Sequence, residues 1–182
     1  MICARTIKAP VFLFAFIISG GTLFAQAGYP VPPKSDNLLF YFQRSHNRNT
    51  VVYDLNTLTG GKINLDNPVH AYWIRYEEGG IAKELSFIQR RVFGVQWEIT
   101  NNNAESLIIH FNAFKKREIR IERCENGKYK AFMTIKNEKA ELVSLYIKSE
   151  NNALGFPLVV NYVELKGISV KNGKMITERI TP

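Results

Sequence analysis

The stretch REIRIERCENGKYKAFMTIKNEKAELVSLYIKSE, residues 117–150, decides the fold class. Its first two parts alternate apolar and polar residues, which is typical of strands with one buried face. ENGK and NEK separate the parts, and both are turn signals. The last part is the only serious helix candidate of the sequence. Its apolar residues fit a period of two no worse than the helical period, and the turn before them favours a third strand.

The rest of the chain repeats short segments rich in aromatic and β-branched residues between turn signals. Asn126-Gly127 and Asn172-Gly173 predict two-residue hairpin turns, and Gly94 predicts a bulge or bend in a long strand. Without long connecting helices, the pattern predicts an all-β domain of about 9–11 antiparallel strands with little helix, folded as a β-sandwich or a partly open β-barrel. The other predicted strands are LLFYFQRS (38–45), TVVYDLN (50–56), VHAYWIRY (69–76), AKELSFIQRRVF (82–93), VQWEIT (95–100), SLIIHFNAF (106–114), LVVNYVELKGISV (158–170) and KMITERI (174–180).

Residues 1–27 have the three parts of a secretory signal peptide. Two basic residues and no acid precede the apolar run VFLFAFIISGGTLFA, and AQA at 25–27 fits the pattern that signal peptidase cleaves. We therefore expect export to the periplasm or the extracellular space, with no membrane-spanning segment after cleavage. Residues 28–37 hold three prolines and are expected to form an extended, loosely held lead-in. Residues 38–182 are expected to form a single all-β domain.

The chain has 24 lysines and arginines against 16 aspartates and glutamates, a formal net charge of +8. An exported basic protein can meet an anionic small molecule, lipid or glycan, whereas its compartment makes nucleic acid a poor partner. The predicted mature chain has one cysteine, Cys124, so it forms no internal disulfide. The sequence contains no GxSxG, P-loop, HExxH or Cys/His cluster. It therefore indicates no catalytic residue, no cofactor and no metal site.

Three segments carry an aromatic residue followed three positions later by an arginine. Alternation along a strand would place Arg44, Arg75 and Arg90 on the apolar face of their strands. A lone buried charge costs several kcal/mol, so each arginine must be paired or must reach the rim of the sheet. The segments are YFQR (41–44), YWIR (72–75) and FIQR (87–90).

Two interpretations of these arginines stay open. In the first, they converge at one end of the sheet and bind an anion, with Trp73 and Tyr76 as an apolar wall and His46 in the adjacent turn. In the second, the arginines pair with acids and the tryptophan fills the core. The candidate acids are Glu84, Glu98 and Glu164.

The segments LFYFQRSHNRNTVVYDLN, NPVHAYWIRY and ELSFIQRR, with the closing YVELKG and NGKMITERI, resemble a bacterial family called domain of unknown function 4833. The resemblance extends over about residues 38–181. It implies a single-domain exported protein. It implies no activity, cofactor or catalytic residue, so the function must be argued from the residues themselves.

Three functions stay open. The first is a module of the bacterial envelope that binds a small anionic or amphipathic ligand through the three arginines and their aromatic neighbours. The second is a structural or protein-interaction module with a sheet edge exposed to another envelope protein. The third is a hydrolase-type enzyme, which would need His46, His70 or His110 within hydrogen-bond reach of a carboxylate or a nucleophile in a cleft.

Overall fold

The computed structural model describes residues 28–100, 105–151 and 158–181. The predicted signal peptide, residues 1–27, lies outside the described residues. The structure is 61% strand and 7% helical, which confirms the all-β prediction.

Eleven strands, one short α-helix and one turn of 3₁₀ helix (Tyr76–Glu78) make up the described fold. The helix, α1, is Phe87–Phe93. The strands are β1 Leu38–Arg44, β2 Asn47–Leu55, β3 Val69–Arg75, β4 Ile81–Glu84, β5 Val95–Ile99, β6 Ser106–Phe111, β7 Phe114–Arg123, β8 Tyr129–Ile135, β9 Glu138–Asn151, β10 Leu158–Ser169 and β11 Met175–Ile180.

The strands form one curled sheet in the order β4-β3-β2-β1-β9-β8-β7-β6-β5, with β10 and β11 branching from β9. The sheet curls into a half-barrel, which agrees with the partly open barrel among the two predicted folds. Every described strand pair is antiparallel except β1 with β9, which is parallel. We call β1–β4 the first half-sheet and β5–β8 the second half-sheet.

β9 is the junction of the sheet. β10 pairs with β9 from Ala140 to Asn151 and so occupies one of its edges. β8 and β1 must therefore share the opposite edge. β8 pairs with β9 as far as Glu141, and β1 pairs with it from Ser144 onward. The two half-sheets leave β9 one after the other on the same side.

The core lies between the two half-sheets and is rich in aromatic rings. The rings of Phe40 and Tyr53, from the first half-sheet, stack with their centroids 4.6 Å apart. Phe111, from the second half-sheet, meets both rings edge-on at 5.9 Å and 5.6 Å. Fully burying an apolar side chain of this size contributes roughly 1.5–3 kcal/mol, so these inward faces hold the half-sheets together.

The prediction of one long strand over residues 82–93 was wrong. The chain leaves β4 at Glu84, turns at Leu85 and forms α1. The segment SFIQ supplies a capping box: the Ser86 hydroxyl accepts a hydrogen bond from the Gln89 backbone N–H, and the Gln89 side chain accepts one from the Ser86 N–H. This reciprocal pairing satisfies two backbone donors at the helix start and outweighs the β-propensity of the segment.

Gly94 ends α1 rather than forming a strand bulge. Its N–H donates to the Arg90 carbonyl at 2.9 Å. A Cβ at this position would lie 2.2 Å from the same carbonyl oxygen and 2.8 Å from Nδ2 of Asn112. The glycine is therefore required by close approach of backbone to backbone.

The two Asn-Gly pairs lie in hairpin turns, but the turns are longer than predicted. The connections of β7 to β8 and of β10 to β11 each contain five residues. Only the glycines, Gly127 and Gly173, have positive φ there. A two-residue turn with positive φ at both positions occurs instead at Lys136-Asn137 between β8 and β9, where φ is 50° and 64°. Both central residues are left-handed, as a type I′ hairpin requires.

Residues 28–37 form neither strand nor helix, and hydrogen bonds hold them against the sheet. The carbonyl of Pro30 accepts a hydrogen bond from Nε2 of Gln43 at 2.8 Å. The carbonyl of Gly28 accepts one from Nε of Arg48 at 2.9 Å. Pro32 is buried. The lead-in covers the outer face of the first half-sheet because that face also carries buried apolar side chains.

Replacing Gly167 with alanine should destabilise the junction of the sheet. A Cβ at Gly167 of β10 would lie 2.7 Å from Cδ1 of Ile135 and 2.8 Å from the carbonyl oxygen of Glu141. Overpacking of this kind costs about 1–3 kcal/mol, which urea unfolding would measure. The exposed variant Val170→Ala should change the free energy of unfolding by less than about 0.5 kcal/mol. Equal effects of the two variants would contradict the packing assigned to Gly167.

Candidate functional site

Arg44 stacks on aromatic rings at the end of β1. Its guanidinium carbon lies 5.0 Å from the centroid of Trp73 and 5.6 Å from that of Phe93. Its Nε is buried and has no hydrogen-bond partner among the described residues. Burial lowers the pKa of Arg44, while the charge of Glu77 raises it in part. The structure thus brings Arg44 and Trp73 together as a cation–π pair.

Trp73 is a core residue in this arrangement. It is 3% exposed, and its ring meets Phe93 edge-on at 5.3 Å. Such a ring offers no open face to a ligand. The sequence interpretation in which the tryptophan fills the core therefore agrees with its position.

Arg75 and Tyr76 are engaged by their own surroundings. The Arg75 guanidinium forms an ion pair with Glu78, three residues further along the chain. The Tyr76 hydroxyl donates to the carbonyl of Val31 at 3.2 Å and so helps to hold the lead-in. His46 is exposed in the turn between β1 and β2.

Arg90 lies on α1, in a cleft of about 250 Å³ whose lining residues do not include Arg44 or Arg75. Its Nε donates to the carbonyl of Leu85 at 3.0 Å, and its Nη2 lies 3.4 Å from Oε2 of Glu84. The predicted pairing of an arginine with Glu84 is therefore present.

His70 and Glu84 meet in the same cleft. Nε2 of His70 lies 2.6 Å from Oε1 of Glu84. Next to them, the Tyr72 hydroxyl donates to Asp54 at 3.0 Å. Burial, with the nearby Asp54 charge, raises the pKa of Tyr72 to about 12, and burial raises the pKa of Asp54.

A histidine within reach of a carboxylate in a cleft is the arrangement that an enzyme would need. His70 meets this condition, but no hydroxyl or thiol of a described residue forms a hydrogen bond with it. The cleft therefore holds a possible base without a paired nucleophile. Nucleophilic catalysis of the serine or cysteine type has no support in this geometry.

A larger concavity lies at the junction of the sheet, with a volume of about 820 Å³. We call it the junction groove. The groove opens because the pairing of β8 with β9 ends at Glu141, and the pairing of β1 with the same edge begins only at Ser144. Leu142 and Val143 thus lie between the two half-sheets, and the lead-in, β10 and β11 complete the walls. The aliphatic side chains and the phenylalanine of the walls are Val31, Leu38, Leu39, Phe40, Leu142, Val143, Ile168 and Met175.

The charged side chains of the junction groove are engaged, except at its rim. Glu164 is 4% exposed and accepts a hydrogen bond from Nε of Arg179 at 2.7 Å, with Nζ of Lys166 at 3.3 Å. Glu141 pairs with Nζ of Lys130 at 2.5 Å. Lys34, on the exposed lead-in, forms no ion pair with a described residue. The groove therefore combines apolar walls with one uncommitted cation.

A third concavity, of about 620 Å³, covers the outer face of β7 and β8. Its cations are paired within the sheet: Arg117 binds Glu178 at 2.5 Å, and Lys139 binds Glu122 at 2.6 Å. Arg120 lies 3.2 Å from Glu118. Because each cation faces a carboxylate, this surface is balanced in charge and does not attract anions strongly.

A model of the family described as "Domain of unknown function (DUF4833)" matches residues 40–179, most of the chain. The chain belongs to this family. No curated protein and no solved structure matches it. The resemblance drawn from the sequence segments is thereby confirmed, and the chemistry of this DUF4833 domain rests on its own geometry.

Within the described part of this DUF4833 domain, no helix is long and apolar enough to cross a membrane. No cluster of three or more histidine, cysteine or acidic side chains is placed to hold a metal ion there. Cys124 is a free, half-buried thiol, and burial raises its pKa.

Sequence reasoning missed the junction groove. Lys34 lies in a segment that had been assigned no binding role, and Val143 had been assigned only a place on a strand. The groove arises where one parallel and one antiparallel partner share an edge of β9, and no local pattern encodes that. The usable signal was the length of β9, 14 residues, which exceeds the usual strand length of roughly 3–10 residues.

Replacing Tyr53 with phenylalanine should loosen α1 from the core. The Tyr53 hydroxyl is buried and donates to the Phe93 carbonyl at 2.8 Å. Removing it leaves a buried carbonyl without this partner, which costs about 1–2 kcal/mol. Urea unfolding would measure the loss. The variant Tyr162→Phe, on the half-exposed outer face of β10, should cost less than about 0.5 kcal/mol, and an equal cost would contradict the anchoring role of Tyr53.

Acid should destabilise the domain through Glu164. Burial raises the pKa of Glu164, but the hydrogen bonds of Arg179 and Lys166 outweigh it, and the pKa lies below the ordinary 4.5. A carboxyl with a lowered folded-state pKa adds stability above the unfolded pKa, and this stability is lost as the pH falls through the folded value. The free energy of unfolding should therefore decline below about pH 4.5, with a shallower decline in Glu164→Gln.

Urea unfolding between about pH 6 and pH 3 would test this expectation. At neutral pH, Glu164→Gln should already lose about 1–3 kcal/mol, because its charged hydrogen bonds are weakened. The matched variant Glu125→Gln, in the exposed turn after β7, should keep the wild-type profile. A Glu164→Gln profile parallel to that of the wild type would contradict the assignment.

Proposed function

We propose that this DUF4833 domain is an exported envelope protein that binds an amphipathic ligand with an anionic head group in the junction groove. The observation that carries the proposal is a groove of about 820 Å³ with apolar walls and the uncommitted Lys34 at its rim. Ligand sites of proteins are mostly apolar concavities of roughly 300–1,000 Å³ with a few polar groups that orient the ligand. The junction groove fits this description.

The walls indicate an aliphatic or similarly apolar ligand body. Leu142 is 1% exposed and forms the floor, while Met175 is 55% exposed at the opening. Val143 is half-buried and lies between the last β9 residue paired with β8 and the first β9 residue paired with β1. An alkyl chain laid along the groove would remove the exposed surfaces of Val143 and Met175 from water, at about 25 cal/mol for each Å² buried.

The charges indicate an anionic head group. Lys166 and Arg179 both pair with the single carboxylate of Glu164, which holds the two cations in place. Lys34 has no such partner among the described residues and can approach a head group at the rim. Lysine binds carboxylates and phosphates as a point charge, so both head groups suit this position.

The three arginines of the repeated sequence pattern are less suitable as ligand contacts. Arg44 is stacked on two rings, Arg75 is paired with Glu78, and Arg90 is bound to Leu85 and Glu84. A ligand would have to displace these contacts. The proposal therefore places the ligand near Lys34 rather than among Arg44, Arg75 and Arg90.

The N-terminal segment supports the location in the envelope. Residues 1–27 carry the composition of a secretory signal peptide. An amphipathic ligand is also the kind of molecule that an envelope compartment supplies in quantity. No cofactor enters this proposal, because the binding needs only the chain's own side chains.

Isothermal titration of the purified protein with dodecanoate and with dodecanol would test the proposal. Lys34→Glu should weaken dodecanoate binding at least about tenfold, because a like charge replaces the cation at the rim, and should leave dodecanol binding unchanged. Met175→Glu should weaken the binding of both, because it puts a charge on the apolar wall.

The matched control is Lys171→Glu, which makes the same charge change on the exposed turn between β10 and β11. It should bind both ligands as the wild type does. Absence of binding by the wild type would overturn the proposal. Equal weakening by Lys34→Glu and Lys171→Glu would overturn the role of Lys34, since it would reduce the effect to net charge.

An exposed sheet edge favours a second candidate function, the protein-interaction module. All four residues of β4 are exposed, and β4 pairs only with β3 among the described strands. An unpaired edge can accept a strand from another chain. A mass that rises with protein concentration in light scattering would support this function, and a constant monomer mass would count against self-pairing at this edge.

A further inference from the structure

The outer face of α1 is apolar and unpartnered. Phe87 is 72% exposed, Ile88 is 74% exposed and Val92 is 47% exposed. At about 100° per residue these three side chains share one side of the helix. Phe93, which is 8% exposed, points to the opposite side and into the core. Three large apolar side chains therefore stand together in water.

The helix that carries them is fixed to the domain. Its start is closed by the capping box of Ser86 and Gln89, and its end by Gly94. The Phe93 carbonyl accepts the buried hydroxyl of Tyr53 at 2.8 Å. The outer side chains therefore cannot turn inward without breaking these bonds, and their exposure is built into the fold.

The charges on α1 are all positive. Arg91 lies on the outer face, with its guanidinium carbon 4.6 Å from the centroid of the Phe87 ring. Arg90 follows on the flank, and the helix contains no acidic residue. Lys83 is exposed on the strand before it, together with Ile81, which is 61% exposed. Glu84, the last residue of that strand, is bound to His70 and Arg90, and Glu78 before the strand is bound to Arg75.

We propose that the outer face of α1 docks this domain on an anionic phospholipid surface. Apolar side chains would enter the boundary between head groups and acyl chains, and Arg91 and Lys83 would lie at the level of the phosphates. The apolar side chains suit the acyl chains of a lipid surface, and the cations suit its phosphates. The inference does not depend on the junction groove.

The size of the face favours a lipid surface over a protein partner. A helix of seven residues is about 10 Å long. A stable protein interface buries about 800 Å² on each partner, which this face alone does not provide. A bilayer needs no matching shape, because it accepts each side chain separately.

Vesicle flotation would test the docking face. The protein is purified, its N-terminus is established by mass spectrometry, and every variant carries the same N-terminus. It should float with vesicles of phosphatidylcholine and phosphatidylglycerol, and less with phosphatidylcholine alone. Raised salt should weaken the binding, because the cations are exposed. The double variant Phe87→Ser/Ile88→Ser should lose at least about tenfold in partitioning.

The matched control is Leu58→Ser/Val170→Ser, which removes two apolar side chains that are 54% and 57% exposed elsewhere on the surface. It should partition as the wild type does, and so should Lys34→Glu, which separates this face from the ligand groove. Circular dichroism would verify the fold of each variant. Failure of the wild type to float, or equal partitioning of the two double variants, would overturn the proposal. A dimer that only Phe87→Ser/Ile88→Ser dissociates would also overturn it, by assigning the face to a second copy.

Discussion

The architecture depends on the way β9 divides its two edges. β10 covers one edge along its length, so β8 and β1 must share the other in succession. This sharing turns what could have been a flat meander into two half-sheets that leave the same strand and face each other. The close approach of Gly167 to Ile135 and the Glu141 carbonyl keeps β10 tight against this junction. The core and the junction groove both follow from it: the half-sheets enclose the core where they face each other, and they leave the groove where they diverge.

Features that depend on neighbours in sequence could be predicted, and features that depend on distant partners could not. The strands from residue 129 onward follow from alternation and turn residues, because both act within a few residues. The predicted strand 106–114 was wrong at its end, since the turn at residues 112–113 separates β6 from β7. α1 was missed although its signal was local: the capping box of Ser86 and Gln89 lies inside a segment whose apolar residues also suit a strand. The parallel pairing of Tyr41 with Ser144 joins residues about a hundred positions apart, and no pattern in either segment specifies it. The candidate groove rests on that pairing and so was invisible.

The three arginines show why a repeated sequence pattern need not make a shared site. Each follows an aromatic residue by three positions, yet the three lie in different surroundings, and Arg90 is mostly exposed. The Arg44 guanidinium is partly removed from water and lies over the rings of Trp73 and Phe93, and these cation–π contacts offset part of the free-energy cost of burial. Arg75 reaches Glu78 within one turn, and Arg90 binds a carbonyl and a carboxylate from its position on a helix. The constraint common to them is that a charge near an apolar core needs a partner. That constraint selects arginine repeatedly without requiring the arginines to meet.

The lead-in connects the predicted processing of the chain to the proposed ligand site. Gly28 directly follows the predicted cleavage position, and its carbonyl is the first to be bound to the sheet, by Arg48. The next residues are held by Gln43 and Tyr76, and they bring Val31 and Lys34 to the wall and rim of the junction groove. A cut several residues further along would remove these side chains, together with the Gly28 and Pro30 carbonyls that Arg48 and Gln43 bind. The proposed site therefore requires a mature N-terminus close to Gly28, because the lead-in is a wall of the groove and at the same time the cover of an apolar sheet face.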